Sequence, residues 1–116
     1  MIDCLDEHFD EAVEFWSEAL GLAATVDDGR YVTLGEIRGP LFIRLQRVKT
    51  DAGFHLDIET DDFGAERKRL EAAGGRTKYR VKRWWVMEDP SGNPYCLVRP
   101  ESDSFPRNAK SWPGRR

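Results

Sequence analysis

The sequence predicts an α+β protein built from two copies of one unit, a strand, a helix and three further strands. Three observations carry this. HFDEAVEFWSEAL, residues 8–20, has helical spacing and ends on Gly21, and a second helical stretch from Phe63 to Ala73 ends on Gly74-Gly75. Each helix follows one apolar strand and precedes three more that are separated by turn signals. Aligning Phe9 with Phe63 places Gly21 on Gly75 and Pro40 on Pro94, a constant offset of 54 residues. Two copies of this length make a duplicated module, not a solenoid.

The elements follow in order. Met1 to Leu5 reads as a short strand. Phe9, Val13, Trp16 and Leu20 fall on one stripe of the first helix, and Gly21 is its C-cap. Asp27-Asp28-Gly29 signals a hairpin turn, with Tyr31 to Leu34 as the returning strand. Gly39-Pro40 breaks the chain before LFIRLQRV, Leu41 to Val48, which alternates. In the second copy Phe54 to Glu59 is a strand and Asp61-Asp62 caps the helix. Strands follow at Thr77–Val81 and Trp84–Glu88. DPSGNP, Asp89 to Pro94, stacks turn-forming residues before a last strand at Tyr95–Val98. One domain spans about residues 1–100, with modules of about 1–49 and 54–100, and residues 101–116 form a polar, Pro-broken tail in which Trp112 alone is suited to dock.

Composition narrows the function. At 116 residues the chain suits one domain with a single core. A hydrophobic content of 40% and a charged content of 34% describe an ordinary globular protein. No apolar run approaches the ~20 residues of a membrane span. Met1-Ile2-Asp3-Cys4 leads at once into acidic sequence, unlike a secretory signal, and two widely spaced cysteines suit thiols in a reducing compartment. The expectation is a cytoplasmic protein. The net charge of −3 hides an asymmetry: residues 1–28 carry nine carboxylates and no Lys or Arg, whereas RTKYRVKR, 76–83, carries five basic groups and no acid. Arg76, Lys78, Arg80 and Lys82 share one parity, with Thr77, Tyr79 and Val81 on the other, as in a strand with one solvated face. A nucleic-acid surface would need a dominant basic face, so none is expected.

Strand parity also selects candidate site residues. Leu41, Ile43 and Leu45 form an apolar face opposite Phe42, Arg44 and Gln46. Phe54, Leu56 and Ile58 oppose His55, Asp57 and Glu59. Asp3 and Leu5 oppose Ile2 and Cys4, and Cys96 and Val98 oppose Tyr95 and Leu97. If the helices cover one face of a curved sheet, the other presents Asp3, Arg44, Gln46, His55, Asp57 and Cys96, a convergence of polar groups typical of a binding cleft. Each has a plainer reading. His55 suits a hydrogen-bonded strand histidine, Arg44 and Asp57 an ion pair on a wet sheet face, and Cys96 a small buried hydrophobe. Of the neighbours Trp84 and Trp85, one faces the cleft and one the helices.

The doubled plan, the helix ending "EALGL", "HLDIE" and "DPSGNPYCLV" together resemble the glyoxalase, bleomycin-resistance and extradiol dioxygenase superfamily, the vicinal oxygen chelate fold, over residues 1 to about 100. The resemblance implies two βαβββ modules forming an open, barrel-like cleft, and a homodimer. It also implies metal ligands on four strands, commonly His, Glu, His and Glu, which fall here on Asp3, on Gln46 (Arg44 having the same parity), on His55 and on Cys96. Gln46 and Cys96 stand where carboxylates belong, which argues against the family's usual metal chemistry, although Asp, His and Cys are all zinc ligands.

Three functions are consistent with this pattern. The first is binding of a small molecule without the usual metal site, using Arg44, Gln46, His55, Cys96 and a tryptophan, Trp84 or Trp85, as a wall. The second is an enzyme of lyase, isomerase or dioxygenase type, either with zinc on Asp3, His55 and Cys96 or without metal, using His55 or Asp57 as a base. The third is a non-catalytic interaction module whose cleft is filled by its own side chains or by the tail.

Overall fold

The computed structural model describes residues 1–36, 41–101, 105, 107 and 109–112. The break expected at Gly39-Pro40 and most of the tail lie outside them. The elements are β1 (Ile2–Leu5), a 3-10 turn (Asp6–His8), α1 (Phe9–Leu20), β2 (Ala24–Asp28), β3 (Tyr31–Leu34), β4 (Ile43–Val48), β5 (Gly53–Phe54), β6 (Leu56–Glu59), α2 (Phe63–Ala72), β7 (Arg76–Val81), β8 (Trp84–Glu88) and β9 (Pro94–Val98). The architecture is α+β, with two βαβββ modules. β1 and α1 open 54 residues before β6 and α2, so the repeat holds at the level of whole elements. The chain divides into two compact units, Met1–Phe54 and His55–Arg116. No helix among the described residues is long and apolar enough to cross a membrane.

In the first unit the sheet order is β2-β3-β4-β1-β5, with β1 parallel to β4 and the other pairs antiparallel. Cys4, Phe9, Val32, Leu34 and Leu45 form its buried core, with Val13, Trp16, Leu22 and Ile43 packed around them. The apolar parity of β1 and β4 therefore lies beneath α1. Gly21 takes φ 67°, and the Leu22 N–H reaches back to the Ser17 carbonyl at 3.1 Å, a Schellman closure that needs the left-handed residue. This closure brings Leu22 onto the core and leaves Leu20, expected on the stripe, 42% exposed. The hairpin forms as expected: the Asp28 carboxylate accepts from the Arg30 and Tyr31 N–H groups at 2.7 and 3.1 Å. Leu41 departs from expectation. It precedes β4 and is 80% exposed, so the buried face starts at Ile43.

In the second unit the order is β6-β9-β8-β7, with β6 parallel to β9. Asp62 caps α2 by accepting from the Ala65 N–H at 2.9 Å. Beneath α2 lie Met87 and Leu97, both fully buried. Arg67 lays its guanidinium 3.8 Å from the Trp85 ring centroid and donates to Thr77 Oγ1 at 3.4 Å. Arg69 forms a two-pronged contact to the buried Glu66 carboxylate, at 2.6 and 3.1 Å, and stacks on Trp112 at 4.1 Å. The tail tryptophan thus docks on α2 of its own chain.

Two sequence expectations fail here. The strand expected at Phe54–Glu59 is two strands: Phe54 pairs with Ile2 in the first sheet, Leu56 pairs with Tyr95 in the second, and His55 lies between. The supposed apolar face of that run does not form a common core, and Phe54 and Leu56 are 69% and 65% exposed. The clean alternation of RTKYRV also breaks. Thr77 is opposite Met87 but Tyr79 is opposite Val86, so Lys78 is an inserted residue that flips the parity. Thr77 therefore turns toward α2 while Tyr79 lies on the other face, 53% exposed.

Candidate functional site

Two polar constellations emerge, one in each unit. In the first, β3 and β4 place Tyr31 opposite Gln46 and Thr33 opposite Arg44, while β1 places Asp3 opposite Gln46. All five side chains belong to the sheet face turned away from α1, because their neighbours Val32, Leu45 and Cys4 form the core. Asp27, the irregular residue of β2, joins them: its Oδ2 accepts from Thr33 Oγ1 at 2.7 Å and from Arg44 Nε at 3.1 Å. The Arg44 guanidinium also lies 4.5 Å from the Tyr31 ring centroid. Gln46 Nε2 donates to Tyr31 Oη at 3.3 Å. The result is a fixed arginine with a carboxylate at one edge and an aromatic ring on one side.

Asp3 also acts on the core. The thiol of Cys4 is pushed up from its ordinary value, first by burial and then by the Asp3 carboxylate. Both cysteines of the chain are thiols rather than half-cystines.

In the second unit the parallel register sets Asp57 directly opposite Cys96, and Val86 follows on β8. His55, two residues before Asp57, reaches the same face, with Nε2 3.1 Å from Asp57 Oδ1. An imidazole nitrogen, an Asp57 oxygen and Cys96 Sγ all lie within 4.8 Å of one another. The side chains of His55 and Asp57 retain 17% and 26% exposure, and Cys96 is half-buried. Trp85 pairs with Leu97 on the α2 side, so Trp84 shares the face of Cys96. The DPSGNP turn sets this register. Asp89 Oδ1 accepts from the Ser91 and Asn93 N–H groups at 2.8 Å each, and Oδ2 accepts from Asn93 Nδ2 at 2.8 Å. Gly92 supplies φ 90°.

The four ligand positions implied by resemblance can now be compared with this register. Asp3 opposes Gln46 across β1 and β4 just as Asp57 opposes Cys96 across β6 and β9. Asp57 also lies one repeat of 54 residues after Asp3. The second-module equivalent of Asp3 is thus Asp57, with His55 beside it just outside β6. Gln46 is a neutral amide already engaged with Tyr31, and Cys96 is a soft sulfur ligand, so these positions do not reproduce an oxygen-rich metal set. Sequence reasoning missed Asp27, Tyr31 and Thr33 as site residues. Asp27 had read only as part of a turn. The signal available was alternation, since Thr33 and Tyr31 share the parity that faces Arg44 and Gln46.

The model of the Glyoxalase-like domain matches residues 1–98. No curated protein matches the chain. Among solved structures, similarity is found to a bleomycin-binding protein from bleomycin-producing Streptomyces verticillus complexed with copper(II)-bleomycin, at 16% identity and a TM-score of 0.33, covering 86% of this chain and 93% of that one. TnmS3, an antibiotic-binding protein from Streptomyces sp. CB03234, matches at 20% identity and a TM-score of 0.35, covering 85% and 92%. The trypanothione-dependent glyoxalase I of Leishmania major matches at 17% identity and a TM-score of 0.37, covering 84% and 82%.

Proposed function

Because the chain belongs to the glyoxalase-like domain family, we propose that it is a binding member of that family, taking a small organic anion or carbonyl compound on the polar face of its first unit. The observation that carries this reading is the Asp27–Arg44–Tyr31–Gln46 network. Arg44 is held before a ligand arrives, which lowers the entropic cost of binding, and its planar fork suits a carboxylate or a pair of carbonyl oxygens. Gln46 supports this reading because an amide hydrogen-bonds to a ligand well and binds metal poorly.

The same reading takes the protein as a cytoplasmic homodimer. Support for a second copy comes from large apolar side chains left at the surface, among them Phe15 at 61%, Phe54 at 69% and Leu56 at 65% exposure.

The test is a screen of small carboxylates, dicarbonyls and aromatic acids against chelator-treated protein, read by thermal shift and then by calorimetry. Arg44→Met is expected to weaken any hit by about 10–100-fold, the worth of a hydrogen bond to a charged group. Hits that bind Arg44→Met and Gln46→Leu as well as the parent, or no hit at all, would refute the reading.

A further inference from the structure

We propose that the α2 side of the second sheet carries an anion site, in which Arg67 and Arg80 hold the phosphate group of a small phosphate monoester. The inserted residue at Lys78 creates it. Up to the insertion, Arg76 and Lys78 approach the Glu88 carboxylate at 3.4 and 3.7 Å. Beyond it the parity is reversed, and Arg80 stands opposite Trp85 on the side covered by α2. Bulges that re-aim a side chain in this way are common beside functional sites. The guanidinium carbon of Arg80 lies 5.9 Å from the Trp85 ring centroid, and that of Arg67 lies 3.8 Å from it. Two arginines thus converge on one indole, one half-buried from the helix and one exposed from the edge strand.

Neither guanidinium group is matched by an acid. Glu71 follows Arg67 by one helical turn, but its carboxylate accepts from Thr77 Oγ1 at 3.1 Å. The same hydroxyl accepts from Arg67 Nε at 3.4 Å, which leaves the two terminal nitrogens of Arg67 to donate to a ligand. Among the described residues, none of Arg67, Arg80, Lys82 and Arg83 has a carboxylate partner. Lys82 and Arg83 close the β7–β8 hairpin, since Val81 pairs with Trp84. Lys82 takes φ 44°, a left-handed conformation for which glycine or asparagine is the ordinary choice. A cation is therefore kept beside Arg80 at a conformational cost, which suits binding better than folding.

This set of charges selects the ligand. A phosphate monoester carries close to two charges and three terminal oxygens, which two arginine forks meet in pairs. A carboxylate offers two oxygens and occupies one fork alone. Stacking on Trp85 already fixes the plane of Arg67, so less freedom is lost when the anion arrives. The site shares no residue with the network around Arg44 and does not depend on what that network binds.

The test titrates the full-length parent and Arg44→Met with phenyl phosphate and with benzoate in phosphate-free buffer, read by calorimetry. A phenyl phosphate site that survives Arg44→Met is expected. In that background Arg67→Met and Arg80→Met should each weaken it by roughly 10–100-fold, the worth of a hydrogen bond to a charged group. Arg76→Met, whose charge already faces Glu88, should leave it unchanged. Benzoate should bind Arg44→Met at least roughly 10-fold more weakly than phenyl phosphate does. Circular dichroism checks that each variant is folded, and the exposed Arg80 reads the loss should Arg67→Met not fold. The proposal is overturned if phenyl phosphate does not bind, if its binding disappears with Arg44→Met, or if Arg80→Met binds it as the parent does. Benzoate bound as tightly as phenyl phosphate would also overturn it. So would a single-stranded oligonucleotide bound far more tightly, which would assign these cations to nucleic acid instead.

Discussion

Arg44 Nε donates to Asp27 Oδ2 at 3.1 Å, and the same oxygen accepts from Thr33 Oγ1 at 2.7 Å. One carboxylate at the edge of the first sheet thus orients both an arginine and a nearly buried hydroxyl. Asp27→Ala removes the acceptor shared by both. It is expected to cost about 1–2 kcal/mol of stability, read as a lower urea midpoint at unchanged slope. Asp27→Asn keeps an acceptor oxygen and should recover part of the loss. Equal stability of the alanine variant and the parent would show that the network contributes nothing to folding.

The Asp89 carboxyl is held below its ordinary value, chiefly by the Asn93 side chain and then by backbone N–H groups of the turn. A depressed folded value means that Asp89 contributes stability above the unfolded carboxylate range, and that this is lost as pH falls through the folded value. Asp89→Asn retains an acceptor but not the charge. Its acid-unfolding curve should therefore be flatter than the parent's below about pH 4, with the two converging at the most acid end. Parallel curves over that range would contradict this role for the turn.

Gly75 lies where a side chain has no room. A Cβ there would sit 2.9 Å from Tyr95 Oη and 3.2 Å from the carbonyl oxygens of both Glu88 and Leu70. Gly75→Ala is expected to cost about 1–3 kcal/mol, as overpacking does. Adding Tyr95→Phe should relieve only part of the loss, because two of the three contacts are backbone. A double-mutant cycle in urea measures this, and full relief would mean that the backbone contacts are slack.

Leu45 is fully buried at the centre of the first unit, opposite Ile2 on β1 and Val32 on β3. Leu45→Ala should destabilise by about 2–5 kcal/mol through lost burial and the cavity left behind. Leu41→Ala, at an 80% exposed position, should cost less than about 0.5 kcal/mol. The pair checks that the buried face starts at Ile43, and similar losses at both sites would restore the longer apolar face.

The two thiols should separate by reactivity. Cys96 is half-buried, whereas Cys4 is buried with its thiol pushed up by burial and by Asp3. Brief iodoacetamide treatment at neutral pH, followed by peptide mass mapping, is expected to label Cys96 well before Cys4. Faster labelling of Cys4 would contradict the packing of β1.

Local chemistry made most of this protein readable from its sequence. Gly21, Asp28, Asp62 and the Asp89–Asn93 turn each act on backbone groups within a few residues, so their effect is fixed by neighbours in the chain. The 54-residue repeat follows from those same signals occurring twice, and it is matched by β1 and α1 against β6 and α2. The family likewise rests on motifs within single elements. What depended on pairing was decided only in three dimensions. An inserted residue at Lys78 reversed the parity of half a strand, and the split at His55 sent Phe54 and Leu56 to different sheets. A period-two pattern cannot reveal either event, since one extra residue in a ladder exchanges every face beyond it. Pairing also promoted Asp27 from turn residue to the partner of Arg44. Likewise it set Asp57, rather than His55, directly across from Cys96, because a parallel register is settled by the whole sheet and not by either strand alone.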